Sequence, residues 1–211
     1  MKKAVKRRAY RSEKRQRQAE ETRSGGVAAA RHLFARAGYQ ATTIDAIAGE
    51  AGVSVQTVYA VFGSKRGVML AIADDMDARA DNAGLHQALT VVTDPHEQLR
   101  LFVGFQLDFY GRNGDVLQIF RDAGRADESL AEFWRIGRGR HEEAYAQLAK
   151  GWAQRKVLKA GVSEKEAADV LAALSWIDLY WYLVGHSGWS PERFGAWTRE
   201  TLAALLIRPA T

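Results

Sequence analysis

The sequence of 211 residues predicts an all-α protein of about nine helices. Apolar residues recur with helical spacing through most of the chain, for example at i, i+3, i+4 and i+7 in Ile44, Ile47, Ala48 and Ala51. No segment alternates with period two over a useful length, so we expect no strands. Capping residues and Gly or Pro breaks divide the helical pattern into separate segments.

Residues 1–22 form a basic N-terminal arm. Residues 1–23 hold ten Lys or Arg and three Glu, a net charge of +7, whereas the whole chain carries +5. We expect disorder from residue 1 to about residue 12, and helical propensity from Ser12 onward. Because Gly25 and Gly26 weaken a helix, the first firm helix should begin near Thr22 or Gly26. The arm is either a nucleic-acid contact or a solvated tail.

The first firm helix carries Val27, Ala30, Phe34 and Ala37 as its inner stripe, and Gly38 should end it. Two short helices at a tight turn follow, between Thr42 and Lys65. Either Thr42 or Thr43 can cap the first of them, and Thr42 with Asp45 fits a capping box. Gly52 suits the turn between the two helices.

Ser54 should cap the second short helix, which turns Val58 and Phe62 inward at i and i+4. A helix, a turn containing Gly and a second helix make a helix-turn-helix. The N-terminal end of such a second helix can enter a major groove. An ordinary helical hairpin of a protein core is the alternative.

Later segments predict the remaining helices. Ser64 caps a helix that runs to about Asn82, and Gly84 then interrupts the chain. The next predicted helix runs from Pro95 to Tyr110 with Asp94 as cap, and a break at Gly111 to Asp115 follows it. The remaining predicted helices are Val116 to Asp122, Asp127 to about Lys156, Ser163 to about Val184, and Ser190–Pro191 to about Arg208. The helix from Ser163 is apolar on nearly every side beyond Val170, which predicts complete burial.

The segment from Val27 to Ala71 resembles the DNA-binding domain of the TetR family of transcriptional repressors. The matching residues are Ala30, Leu33–Phe34, Gly38–Tyr39, Thr42–Thr43, Ile47–Ala48, Ala51–Ser54, Thr57–Tyr59, Phe62 and Ser64–Lys65. The resemblance implies a homodimer with a helical ligand-binding domain behind the DNA-binding domain. It also implies that seven residues face DNA: Thr43, Ser54, Val55, Gln56, Thr57, Tyr59 and Lys65. Val61 replaces a polar ring of several relatives, so a thymine methyl contact is expected there instead.

Composition excludes several classes of protein. The chain has no cysteine, which excludes disulfides, thiol catalysis and cysteine-bound metals. No apolar run reaches the roughly 18 residues of a membrane span, and the charged N-terminus is not a secretory signal. His186–Ser187 lies in a segment similar to a hydrolase nucleophile elbow, but Trp189 stands where the elbow needs Gly. We therefore expect no catalytic site, metal, cofactor or membrane partner, and a cytoplasmic location.

Aromatic side chains are concentrated on the predicted helices of the second half. An apolar cavity lined by rings, with a few polar groups, is typical of small-molecule pockets, although plain core is the alternative. The candidate ligand-binding residues are Phe102, Phe105, Gln106, Phe109, Trp134, Arg138, His141, Trp176 and Tyr180.

These observations predict a DNA-binding domain at residues 23–70 and a helical ligand-binding and dimerisation domain at residues 71–211. The expected function is that of a repressor that binds a palindromic operator as a homodimer, paired through its last two helices, and is released by a small-molecule inducer. A DNA-binding architectural protein without a ligand stays open as an alternative. So does a small helical enzyme, although no convergent set of catalytic residues is visible.

Overall fold

The computed structural model describes residues 2–125 and 127–209, with side chains from Arg17 onward except that of Phe133. These residues form ten helices: α1 (Lys2–Ala41), α2 (Ile44–Glu50), α3 (Val55–Phe62), α4 (Lys65–Arg79), α5 (Asn82–Val91), α6 (Pro95–Gly124), α7 (Glu128–Gln154), α8 (Glu164–Leu174), α9 (Ile177–Tyr180) and α10 (Pro191–Leu206). α9 continues as a π-helical turn, Trp181–His186. Within the described ranges the extended structure is limited to one isolated bridge, Leu158 to Ile207, so the all-α prediction is confirmed.

The helices form two compact units. The first comprises Met1–Arg79 and Asp115–Ala131, and the second comprises Ala80–Gly114 and Glu132–Thr211. This division differs from the predicted domain boundary after residue 70. α4 stays with the first unit because its apolar residues, Val68, Met69, Ile72 and Met76, are buried and it packs against α1.

Helix α1 begins at Lys2, well before the predicted start near Thr22 or Gly26, and its backbone includes the segment for which we expected disorder. Gly25 and Gly26 do not interrupt it. The backbone does leave helical geometry at Gly38, with φ 82° and ψ 159°, where we predicted the end of the helix. The favourable propensities of Glu, Lys, Arg, Gln and Ala before the two glycines, and the buried Val27, Ala30 and Phe34 after them, maintain helix on both sides.

Most predicted helix starts are confirmed, and a side chain at each of them accepts a hydrogen bond from the first turn. The side chains of Ser54, Ser64, Asp94, Ser163 and Ser190 each accept a hydrogen bond from the backbone N–H three residues later. Asp127 accepts one from the N–H of Ser129 at 3.0 Å. At α2 the cap is Thr43, which accepts from the N–H of Ala46. The capping box of Thr42 with Asp45 is wrong, because the buried Thr42 hydroxyl donates to the carbonyl of Gly38 at 2.9 Å.

After α4 the structure has one helix that the sequence did not predict, and two predicted helix ends are wrong. Asp81 caps an additional helix, α5, by accepting from the N–H of Gly84 at 2.9 Å. α6 runs without a break through the segment 111–115. The helix expected to reach Val184 ends at Leu174, and only Ala167 and Leu171 of α8 are buried, so burial on every side is also wrong for the single chain.

Each unit has its own core. In the first unit, Phe34, Ile47, Val58 and Met69 are almost fully buried. In the second, Leu99, Phe102, Tyr145 and Trp152 belong to one cluster with α8 and α10. The indole N–H of Trp152 donates to the side-chain oxygen of Gln98 at 2.7 Å, which satisfies a buried polar pair. Among the described residues no single helix is long and apolar enough to span a membrane, and only the bent pair Glu164–Leu174 with Ile177–His186 meets the length and composition criteria.

Candidate functional site

The turn between α2 and α3 holds the two helices in a helix-turn-helix. Gly52 takes a positive φ of 66°, a conformation that glycine adopts without a Cβ penalty. The N–H of Val53 then donates to the carbonyl of Ala48 at 3.0 Å. Buried Ile47 and Val58 face the interior of the first unit from either side of this turn. The local sequence therefore determines the angle at which α3 leaves α2.

Helix α3 exposes an uncharged, hydrogen-bonding surface. Gln56 is exposed, Val55 and Thr57 are half-buried, and Tyr59 is 51% exposed. The hydroxyls of Ser54 and Thr57 lie 2.8 Å apart at its N-terminus, where the first backbone N–H groups of the helix also lie. Thr43 is exposed at the N-terminus of α2. Six of the seven predicted DNA-facing residues are therefore exposed or half-buried at the N-terminal ends or along the outer face of these two helices.

The inner end of α3 packs closely on α1. A Cβ atom at Gly26 would lie 2.7 Å from Cε2 of Phe62, so the ring of Phe62 rests directly against the backbone of α1. Gly25 has no neighbouring atom within 4 Å of the equivalent position. Both glycines have low helix propensity, but only Gly26 is needed for the close approach of α3 to α1. The contact between Gly26 and Phe62 joins residues far apart in the sequence, so no local sequence pattern predicts it.

Lys65, the seventh predicted residue, is engaged on the inner side. Its ammonium donates to the carbonyls of Tyr39, Gln40 and Thr42 at 2.9, 3.2 and 3.0 Å. It also lies 4.5 Å from the centroid of the Tyr39 ring. These carbonyls belong to the C-terminal end of α1 and to Thr42, the residue that follows it, where a positive charge is favoured. All three donors of the ammonium are therefore used in joining α4 to the end of α1.

Ion pairs add further connections within the first unit. Arg31 of α1 makes a two-pronged pair with Asp115 of α6, at 2.8 and 2.6 Å. His32 lies 3.0 Å from Glu50 of α2, and Arg23 lies 3.2 Å from Asp74 of α4. The bidentate Arg31 pair is the stronger geometry, and it fixes the C-terminal half of α6 to α1.

The predicted ligand-binding residues converge in the second unit around a group of hydrogen-bonded side chains. We call Gln106, Tyr110, Tyr145 and Ser175 the polar centre. The amide of Gln106 donates to the Tyr145 hydroxyl at 3.0 Å and to the Ser175 carbonyl at 3.1 Å. The Tyr110 hydroxyl donates to the same carbonyl at 2.6 Å. All four residues are buried.

Aromatic rings contact the polar centre directly or through one another, and we call these rings the aromatic shell. Phe102 lies edge-on to Tyr145 with centroids 5.2 Å apart, and His141 lies 6.5 Å from Tyr145 and 6.2 Å from Phe109. Tyr180 contacts Tyr110 at 5.4 Å. Phe105 stacks on Phe109 at 6.1 Å, and Trp134 lies edge-on to Trp176 at 6.0 Å. Every candidate ring is therefore in contact with another candidate ring or with the polar centre.

Arg138 differs from the other candidates, because it is exposed and pairs with Glu142 at 2.8 Å. Its guanidinium lies over the ring of Trp176, 5.4 Å from the centroid. Tyr110, Tyr145 and Ser175 have polar roles that the sequence did not predict. The spacing of Gln106 and Tyr110 at i and i+4 does carry a signal for a shared face, whereas the position of Ser175 depends on the unpredicted end of α8.

Burial raises the pKa of both tyrosines of the polar centre. Desolvation is the largest cause for Tyr110 and for Tyr145, and the hydrogen bond from Gln106 acts in the opposite direction at Tyr145. Both hydroxyls therefore stay protonated near neutral pH and can donate or accept hydrogen bonds.

Comparison with known proteins identifies the helix-turn-helix. Residues 27–72 match the family model described as bacterial regulatory proteins, tetR family. The transcriptional activator FasR of Mycolicibacterium smegmatis is 37% identical over 92 residues, which cover 43% of this chain and 41% of FasR. The transcriptional regulator EthR of the same organism is 25% identical over 108 residues, covering 51% of this chain and 50% of EthR. The chain thus spans half or less of the length of these curated relatives.

Solved structures share the fold over most of the chain. A transcriptional regulator from Saccharomonospora viridis in complex with choline has a TM-score of 0.73 and 22% identity, and covers 90% of this chain and 99% of its own. The SmeT–triclosan complex has a TM-score of 0.74 and 22% identity, with 90% and 93% covered. The family model and the helix-turn-helix described above together identify residues 27–72 as a DNA-binding domain of the tetR family, at the N-terminal end of the chain.

Proposed function

We propose that the protein is a repressor that binds a palindromic operator as a homodimer and is released by a small-molecule inducer. The observation that carries this proposal is the outer surface of α3, which is uncharged and hydrogen-bonding and lies opposite the buried Val58. Residues of this kind at the N-terminal end of a recognition helix suit contact with base edges in the major groove.

Within the proposal, DNA contacts come from Thr43, Ser54, Val55, Gln56, Thr57 and Tyr59. Gln56 and Thr57 present donors and acceptors for base edges, while the exposed Tyr59 hydroxyl suits a phosphate. Val61 is 38% exposed and suits a thymine methyl. Lys65 acts from behind this surface, because its ammonium is bonded to the end of α1.

Binding to a library of operator variants tests the recognition surface. Gln56→Ala and Thr57→Ala should relax preference at particular base pairs, by about 1–3 kcal/mol for each good contact. Tyr59→Phe is the matched comparison, and should weaken binding to all sequences alike, because it removes a phosphate contact. If both base-contact variants keep the sequence preference of the wild-type protein, the recognition surface is assigned wrongly.

The homodimer is proposed through α8 and α10, which pack against each other in the second unit. Two-fold symmetry would place two copies of α3 in successive major grooves, and this requires a near-palindromic operator. An inducer would act by binding more tightly to a dimer in which that spacing is lost.

The name of one relative favours an activator as a second candidate, since FasR is a transcriptional activator. In vitro transcription from the bound promoter separates the two roles. A repressor lowers transcript yield when it occupies the operator, whereas an activator raises it.

A further inference from the structure

The polar centre has hydrogen-bonding capacity that its own residues do not use. The Ser175 hydroxyl has no hydrogen-bond partner in the described part of the chain, although Ser175 is only 1% exposed. Tyr145 accepts from Gln106, and its own hydroxyl proton is left to donate. A buried polar group without a partner is costly, so an unpartnered hydroxyl beside a hydrogen-bonded cluster indicates a place where another polar group binds.

Ser175 lies at a break between helices, which explains why this capacity is concentrated there. Its N–H donates to the carbonyl of Leu171 as the last bond of α8, and Trp176 then takes an extended conformation before α9. The Ser175 carbonyl is therefore not used by a following helical turn, and it accepts from Gln106 and Tyr110 instead. The break brings a carbonyl, a hydroxyl and two tyrosines together inside the aromatic shell.

The polar centre is uncharged. The buried polar residues of the described second unit are Gln98, Gln106, Asn113, Ser175 and Thr198, and none of them is ionisable. Tyr110 and Tyr145 stay protonated, because burial raises the pKa of both hydroxyls. Bringing an ionised group into such a surrounding costs free energy that no buried counter-charge offsets.

Charged groups near the shell lie at its edge. Glu142 is exposed and pairs with Arg138, and Asp178 is exposed. His141 is half-buried, with its ring against Phe109 and Tyr145. Aromatic rings alone could attract a cation. Here the guanidinium of Arg138 already lies over Trp176, and the buried residues of the described second unit include no carboxylate to offset a second cation.

We infer that the second unit binds an uncharged, ring-containing ligand that carries one hydroxyl or carbonyl group, with the ring among the aromatic side chains and the polar group hydrogen-bonded to Ser175 and Tyr145. This inference rests on the proposed function, because it names the chemical class of the inducer. It excludes carboxylate ligands and quaternary ammonium ligands as the preferred class.

Three matched probes test the inference by isothermal titration calorimetry with the full chain: 2-naphthol, 2-naphthoate and trimethyl(2-naphthyl)ammonium. They share one ring system and differ in the polar group. We expect 2-naphthol to bind at least tenfold more tightly than either charged probe. A charged probe that binds as tightly as 2-naphthol, or failure of all three to bind, overturns the inference.

Variants locate the hydrogen bond. Ser175→Ala and Tyr145→Phe should each weaken 2-naphthol binding by about three- to tenfold, the ordinary range for one neutral hydrogen bond. Ser175→Ala should not lower the melting temperature, because the hydroxyl has no hydrogen-bond partner among the described residues. Thr198→Val is the matched control, since in the described part of the chain the Thr198 hydroxyl is also buried without a partner, and Thr198 is not one of the four residues of the polar centre. Equal losses in Thr198→Val and Ser175→Ala would contradict the assignment.

Operator binding by the ligand-free protein keeps this test separate from the proposed function. If the protein binds an operator and yet prefers a charged probe, the ligand class is wrong and the proposed regulator stands. If the protein binds no specific DNA, the proposed function fails whatever the probes show.

Discussion

Gly25 and Gly26 are neighbours in α1 with different surroundings. Gly25 is open to solvent, so Gly25→Ala should stabilise the protein by up to about 1 kcal/mol through its higher helix propensity. At Gly26 a Cβ would meet the Phe62 ring at 2.7 and 2.9 Å, so Gly26→Ala should destabilise by about 1–3 kcal/mol. Urea unfolding of the two variants measures both changes.

Phe62 is the last residue of α3, which extends this prediction to DNA binding. Displacing its ring should tilt or shift the recognition helix, and Gly26→Ala should therefore weaken operator binding. Gly25→Ala, one position away, should leave operator affinity unchanged. Equal affinities for the two variants would show that α3 tolerates the displacement.

Lys65 separates a phosphate contact from a structural one. Lys65→Met keeps most of the aliphatic stem but removes the ammonium that donates to the carbonyls of Tyr39, Gln40 and Thr42. We expect a loss of stability of about 1.5–3 kcal/mol, the range for hydrogen bonds that involve a charged group. A pure phosphate contact would instead leave stability unchanged.

Salt dependence of operator binding distinguishes the two roles of Lys65. A phosphate contact contributes about −0.9 to the slope of log K against log salt. Lys65→Met should keep the wild-type slope, because the ammonium is held on the carbonyls. Arg66→Met, at the exposed neighbouring position, is the control for loss of one positive charge. If only Lys65→Met reduces the slope of log K against log salt, Lys65 contacts a phosphate of the DNA.

The sequence predicted the first residues of the helices better than their last residues. Ser54, Ser64 and Ser163 cap helices through bonds to a backbone group three residues away, so the signal is local and visible in the sequence. Ends depend on packing. Gly111 and Gly114 do not break α6, because the buried Tyr110, Asn113 and Val116 maintain the helix on either side of them.

The same contrast applies to the candidate sites. The exposed residues of α3 follow from helical spacing and from the resemblance to a known family. The inward role of Lys65, the close approach at Gly26 and the polar role of Ser175 each depend on residues far away in the sequence. Such contacts have no short-range pattern, so they required the structure.

Helix α10 carries the prediction about assembly. Leu205 is 49% exposed near its end, next to the exposed Ala204 and on a helix that packs against α8. If α8 and α10 pair with their symmetry mates, Leu205→Glu places a charge in the interface and should weaken the dimer by more than tenfold. Val91→Glu, at an apolar residue of α5 that is 73% exposed, is the matched control. Sedimentation of the wild-type chain as a monomer at micromolar concentration, without DNA, would contradict the dimer.

Positive charge is concentrated in the N-terminal part of the chain. Residues 1–23 carry a net charge of +7. The net charge of the whole chain is +5, so the remaining residues carry a net charge of −2. The first helix begins at Lys2, so the arm continues the backbone of α1 rather than forming a separate segment. Helical or not, a chain segment with this charge and no apolar stripe should add little to folding and should associate with phosphates.

Deleting residues 2–17 tests the arm. If three or four charges in each arm neutralise phosphates, the two arms of a dimer account for about five to seven units of the slope of log K against log salt. The deletion should therefore flatten the salt dependence and weaken binding most at low salt, with little change in melting temperature or in base preference within the half-sites. A full-length variant with Gln at every Lys and Arg from residue 2 to residue 17 separates charge from helix length, and should reproduce the flattened slope. A slope that the deletion leaves unchanged would reduce the arm to a solvated extension of α1.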